Sequence, residues 1–320
     1  MKIIVPSVEV MRNGLEEEMI LPEQFIERVG RTCYKSEDKI TPDSAAKFVS
    51  GLVKRGHEAM LEHWTYIFEA APHDYEEIKA DWDTLMHCTD IPADARLRPF
   101  LRFTDNEEHC VISGNIRAWR DYAKAAITGF GYLPMYMYGI VRCNPLFFPE
   151  FQDYVPAIIC NDILMPITVN DLVNEEEHKI HHDVTVKFTC DRGVSHEIVR
   201  HRNSFAQEST RYCNYSCDQF GNEITVIRPS WCGSENPVYT AWLESCKDAE
   251  NGYFKLLKMG ATPQQARAVL PNSLKTEVVM TANMQNWDHF FKLRCASDAH
   301  PDMQEVANLA ADMITEDFLF

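Results

Sequence analysis

The segment Asp191-Arg192-Gly193-Val194-Ser195-His196-Glu197-Ile198-Val199-Arg200-His201-Arg202-Asn203-Ser204-Phe205-Ala206-Gln207-Glu208-Ser209-Thr210-Arg211-Tyr212 gathers four arginines, two histidines, Glu197, Glu208 and several hydroxyls into one short run. An apolar stretch, Val184 to Phe188, precedes it and reads as a central strand, and Val194 to Arg200 reads as a short helix that delivers Arg200-His201-Arg202 to one place. So many fixed donors suit an anion, and the planar guanidinium fork suits phosphate or a carbonyl-rich ring. A charge run is ordinarily a solvated face. Here the chain carries a net charge of −17, and the arginines alternate with Ser, Gln and Glu instead of Lys, which favours a small bound anion.

That acidity argues against general binding of nucleic acid or of an anionic membrane, so any anionic ligand is small and met locally. The chain has 320 residues, 45% of them apolar and 25% charged, enough for a sizeable core in one large or two ordinary domains. Eleven cysteines include no Cys-x-x-Cys pair; Cys213 and Cys217 are the closest two. This usage reads as reduced cytoplasmic thiols, not as a disulfide framework. No apolar run reaches membrane-spanning length, and no internal repeat is present.

From the start of the chain, Lys2 to Val5 reads as a strand, and Pro22 opens a helix through Phe25, Ile26 and Val29 that ends near Cys33-Tyr34. Thr41-Pro42 predicts another helix start, with Ala45, Val49, Leu52 and Val53 at helical spacing and Gly56 as the stop. His57-Glu58-Ala59-Met60-Leu61-Glu62-His63-Trp64 leads into a strand, Thr65 to Ala70. Helical patterns follow at Tyr75 to His87 and Asn115 to Ile127, then an aromatic and proline-rich stretch from Phe130 to Tyr154. Gly129-Phe130-Gly131 is no dinucleotide fingerprint, because no GxGxxG follows a strand there. The acidic run Asn174 to His178 is expected to be a solvated loop, with His178, His181 and His182 exposed and idle. After Tyr212 come a strand (Ile224 to Ile227), a long amphipathic helix (Val238 to Leu257), a helix from Pro263 and an apolar strand (Thr276 to Thr281). A turn and helix from Asn283 to Arg294 and a closing helix, Pro301 to Phe318, complete the chain.

Arg200-His201-Arg202 followed by Gln207-Glu208-Ser209-Thr210-Arg211-Tyr212 resembles the signature of flavin-dependent thymidylate synthases. Gly56-His57-Glu58 with Leu61-Glu62-His63, and Arg267 to Pro271, Asn283 and Leu293-Arg294, resemble further phrases of that family. The resemblance covers both ends of the chain and excludes most of residues 71 to 183. It implies a mixed α/β fold with helices around a curved central sheet, one domain over 1–320 interrupted by an insertion at about 71–183, and a homotetramer whose active sites draw on several copies. It implies conversion of dUMP to dTMP, with methylenetetrahydrofolate as carbon donor and NADPH as reductant through bound FAD. No metal and no protein nucleophile is required.

By the same resemblance His63, Arg200, His201, Arg202, Asn283 and His289 would hold FAD, while Arg211 and Arg267 with Ser209 would grip the nucleotide phosphate. Arg294 would favour the anionic form of the pyrimidine ring, because a cation beside a ring nitrogen lowers its pKa. Glu197 and Glu208 would complete the nucleotide site; His289 stands where many members have Asn, and Glu197 where some have Gln. One departure stands out. Six residues separate Arg202 from Ser209 where the family has seven, so the family serine falls on Thr210 counted forward and on Ser209 counted back; the shortening is expected in a loop at Asn203 to Phe205. Two other readings stay open at this level. One is a non-catalytic nucleotide-binding homologue. The other is a metal-dependent hydrolase using His57, Glu62 and His63, although the His-Glu-x-x-His spacing is absent.

Overall fold

A computed structural model describes residues 1–11, 20–88, 101–106, 109–157, 163–211, 214–216 and 221–318, with side chains up to residue 315. Tyr212, Cys213 and Cys217 lie outside the described residues. Strands β1 (Lys2–Ile4) and β2 (Ser7–Met11) are followed by helices α1 (Pro22–Tyr34) and α2 (Ser44–Lys54), strand β3 (Thr65–Ala70) and helix α3 (Pro72–His87). Next come β4 (Leu101–Asn106), β5 (His109–Asn115), α4 (Ile116–Phe130), α5 (Met137–Cys143), β6 (Leu164–Ile167) and α6 (Glu175–His181). The remainder comprises β7 (Asp183–Asp191), α7 (Arg192–Ile198), β8 (Ser204–Gln207), β9 (Thr225–Ile227), α8 (Pro237–Lys258), α9 (Pro263–Ala266), β10 (Lys275–Asn283), α10 (Met284–Arg294) and α11 (Pro301–Phe318).

The fold is mixed α/β, with three sheets among the described residues. The sheet that positions the site has the order β2-β7-β10-β8, antiparallel at each pairing, and β10 is its spine. Lys275 pairs with Asp191 at one end of β10 and Asn283 with Asp183 at the other, while the short β8 covers only Val278 to Thr281. Alternation along β10 sends Val278, Met280 and Ala282 into a core with Val186, Phe188, Trp287, Phe290 and α11. Val279 points to the other face, beside its strand partner Ala206, where Phe25 and Val29 of α1 cover it. Helices thus close both faces, which is why β10 reads as an almost unbroken apolar run.

A second sheet, β4-β5-β3-β6, is antiparallel throughout and takes three of its four strands from residues 71–183. Its core is large, with Trp82, Ile112, Trp119, Tyr122 and Phe148 buried around α4. Helix α4 starts where the Asn115 side chain accepts from the Ala118 N–H at 2.8 Å, and it stops at Gly131, whose φ of 79° suits only glycine comfortably.

Two expectations are corrected. The acidic run is a helix, α6, capped by Asn174, whose oxygen accepts from Glu177 N–H at 2.9 Å. Glu177 is buried, accepting from Asn106 at 2.7 Å and from the Val173 N–H at 2.9 Å, with His109 at 3.1 Å. His181 and His182 are buried as well; the His181 ring lies between Thr104 (2.8 Å) and Ser113 (2.7 Å). Interior partners won over local polarity, because they sit on β4 and β5, which the sequence did not betray as strands. The second correction concerns the shortened segment. Ser204 and Phe205 belong to a strand in register with Thr281 and Met280, so the loop is confined to the turn before Ser204.

Candidate active site

The C-terminal end of β10 gathers one set of side chains. Asn283 caps α10, accepting from the Asn286 N–H at 3.0 Å, and its amide donates to the Ile180 carbonyl at 2.9 Å. His63 ends a helical turn (Glu58–His63) that is laid against β8 and β10; its Nδ1 is 2.7 Å from the Thr281 hydroxyl, which is itself 2.7 Å from Thr185. Burial lowers the pKa of His63 to about 4, so the ring is neutral at pH 7.

Helix α7 is held by Asp191, which accepts from the Val194 N–H at 2.8 Å, and by Val194 and Ile198, which enter the β7–β10 core. It returns along the sheet and places Arg200, His201 and Arg202 near the Asn283 end. Arg294, from the last turn of α10, donates through Nε to His201 Nε2 at 3.0 Å. An arginine cannot accept, so Nε2 carries no proton and His201 is the neutral Nδ1–H tautomer. Burial first, then the charges of Arg294 and His289, lower His201 to about 4. Arg294 also donates to the Glu197 carboxylate and to the Glu197 carbonyl, both at 3.0 Å. Three of its five N–H groups are used, which leaves two for a ligand.

Two adjoining clefts open here. One, about 380 Å³, is lined by Arg200, His201, Arg202, His289, Leu293 and Arg294. The other, about 270 Å³, is lined by Glu62, Arg102, Asp183, Ser204 and Asn283 among others, and the two share Arg202, Asn203 and Asn286. The Arg200 and Arg202 side chains have no ion-pair or hydrogen-bond partner among the described residues. Two uncommitted guanidiniums beside amides, a neutral imidazole and an apolar wall fit a long ligand with a phosphate-bearing section and a flat polar ring.

The opposite end of β10 lies about 27 Å away, eight steps of roughly 3.4 Å. Glu208, Ser209, Arg211 and Arg267 lie toward that end, just past β8, where the Glu208 N–H donates to the Glu277 carbonyl at 2.8 Å. Glu208 is buried and accepts from Lys275 at 2.9 Å. Ser209 donates its backbone N–H to the Cys33 carbonyl at 3.1 Å, and its hydroxyl accepts from the Arg211 N–H at 3.4 Å. Arg267 donates to the Thr210 hydroxyl at 3.1 Å, so both hydroxyls in question stand beside an arginine. A cleft of about 420 Å³, lined by Lys2, Lys35, Glu208 and Lys275, adjoins this end.

Within one chain, then, the structure brings together His63, Glu197, Arg200, His201, Arg202, Asn283, His289 and Arg294, and holds Glu208, Ser209, Arg211 and Arg267 apart from them. His57, Glu62 and His63 do not converge: Glu62 accepts from Arg117 at 2.5 Å while His63 turns to Thr281. Sequence reasoning missed Arg102 and Asp183, which face the smaller cleft, and Lys275, which holds Glu208. Only strand alternation around Lys275 offered a signal; nothing in spacing ties Arg102 to Asp183, 81 positions on.

Residues 169–318 match the profile of the family described as thymidylate synthase complementing protein. The chain is 35% identical over 126 residues to the flavin-dependent thymidylate synthase of Geobacter sulfurreducens, covering 38% of this chain and 50% of that protein. It is 31% identical over 119 residues to the enzyme of that name from Pyrococcus furiosus (37% and 48%). With the one from Corynebacterium aurimucosum it shares 30% over 141 residues (39% and 54%). The chain thus spans about half the length of the curated relatives it matches. The matched family region contains each candidate residue from Glu197 onward and leaves out His63, which the fold nevertheless brings to β10.

Proposed function

We propose that this protein is a flavin-dependent thymidylate synthase, methylating dUMP reductively to dTMP with methylenetetrahydrofolate as carbon donor, NADPH as reductant and FAD as bound cofactor. The observation that carries the reading is the pair of unpartnered guanidiniums, Arg200 and Arg202, at two joined clefts of an otherwise acidic chain, inside the matched family region.

Arg200, His201, Arg202, His63, Asn283 and His289 would hold FAD, which supplies the hydride chemistry between NADPH and the nucleotide. Arg200 and Arg202 would meet its phosphates as charge-assisted donors. Buried neutral His63 and Asn283, the cap of α10, fix the end of β10 against which the ligand lies. Arg211 and Arg267 would grip the nucleotide phosphate, with the Ser209 hydroxyl donating as well and Glu208 on the other side. Arg294, steered by Glu197 and His201, would place its two remaining N–H groups toward the pyrimidine ring and stabilise negative charge there. No cysteine is given a catalytic part.

Because the two sets of residues lie toward opposite ends of one strand, with β8 between Arg202 and Glu208, we take a complete site to draw on more than one copy and propose a homotetramer with shared sites. Residues 71–183 are taken as an insertion in a single domain, and the free thiols support a cytoplasmic location. The test is formation of dTMP from dUMP, methylenetetrahydrofolate and NADPH with and without added FAD. FAD-dependent product supports the assignment; no product under any of these conditions overturns it.

A further inference from the structure

The smaller cleft has a feature at odds with an anionic ligand: two carboxylates, Glu62 and Asp183, line it. Bare, each would repel a phosphate group across a few ångströms of partly buried space. Each is met by an arginine from the 71–183 segment. Arg102, on β4, forms a two-pronged pair with Asp183, at 2.6 Å to one oxygen and 2.7 Å to the other. Arg117, in the first turn of α4, donates to Glu62 at 2.5 Å. Arg102 also donates at 2.8 Å to the Ile180 carbonyl, the same atom that accepts from the Asn283 amide. The Thr65 hydroxyl completes the shell of Asp183. Both arginines stand on elements built into the large core of the second sheet, so their positions are set by packing and not by the ligand.

We propose that the 71–183 segment supplies Arg102 and Arg117 as charge-neutralising positioning residues of the cofactor cleft, cancelling Asp183 and Glu62 and, through the shared Ile180 carbonyl, fixing Asn283. The inference rests on the reading of these clefts as the FAD site. It gives the extra segment a role in holding an anionic flavin, beyond that of a structural appendage.

The experiment is equilibrium titration of the full-length apoprotein with FAD and with riboflavin, which lacks phosphate, at low and moderate ionic strength. Arg102→Gln is expected to raise the FAD Kd about ten- to hundredfold, with the penalty shrinking as salt rises, and to move the riboflavin Kd by no more than about twofold. Arg102→Gln/Asp183→Asn removes both charges and is expected to return FAD affinity to within about threefold of wild type, which also separates a charge effect from misfolding. An unchanged FAD Kd, equal weakening of FAD and riboflavin, or no recovery in the double variant overturns the inference while leaving the FAD site in place. A wild-type protein that takes up no FAD overturns the functional reading itself.

Discussion

Arg294→Ala is the substitution from which the site geometry yields the most. It deletes three hydrogen bonds at 3.0 Å, two to Glu197 and one to His201. Bonds to charged groups are worth about 1.5–3 kcal/mol each when buried. Arg294 is partly exposed and its neighbours can rehydrate, so the loss of fold stability is expected to be only about 1–2 kcal/mol. Turnover should fall much further, by on the order of a hundredfold, because a donor aimed at developing charge is removed. FAD content should stay near wild type, since His63, Arg200, Arg202 and Asn283 are untouched. His201 reports independently. Burial, the larger cause of its low pKa, remains, while the adjacent guanidinium is gone, so its titration should rise from about 4 but stop short of 6.5. Arg294→Lys keeps the charge and loses the fork, and is expected to keep His201 low while recovering only part of the rate. The assays are dTMP formation, flavin absorbance and histidine titration by NMR. Turnover within about twofold of wild type in Arg294→Ala would refute the assignment of Arg294 to a developing charge.

In the second sheet, Gly114→Ala places a Cβ 2.2 Å from Leu101 Cδ2 and 3.3 Å from Trp119 Nε1, both in a closed core; a loss of about 1–3 kcal/mol is expected in urea unfolding. Acid should destabilise the fold between pH 6.5 and 4. Burial lowers His63 to about 4 and His181 to about 3, from 6.5, so over this range the unfolded chain binds protons that the folded chain refuses. The effect is about 3 kcal/mol for His63 at most, and His63→Gln should flatten the pH dependence of the melting temperature. Light scattering at assay concentrations is expected to give four copies, and a fully active monomer would contradict shared sites.

Much of the fold was legible where periodicity and punctuation agreed. Pro22 with Phe25, Ile26 and Val29, the Thr65 to Ala70 strand, and Pro301 to Phe318 appear at the bounds their patterns suggest. What stayed hidden depended on distant partners. Glu177 and His181 look like surface residues until Asn106, His109, Thr104 and Ser113 come to meet them from β4 and β5. The candidate site was legible as a list, because Arg200 to Arg202 and Asn283 to Arg294 are compact phrases. Its division into two ends of β10 was not, because Arg202 and Ser209 are close in sequence yet β8 runs between them. Nor was Arg102, whose contact with Asp183 spans two sheets.

The central claim, that the Arg200–Arg202 clefts hold a flavin, is tested most directly by the visible absorbance spectrum of the purified wild-type protein, followed by release and identification of the chromophore. The expected result is a yellow protein whose chromophore is FAD, bound near one per chain, and loss of colour in Arg200→Ala/Arg202→Ala. A colourless protein that takes up no FAD on titration would contradict it.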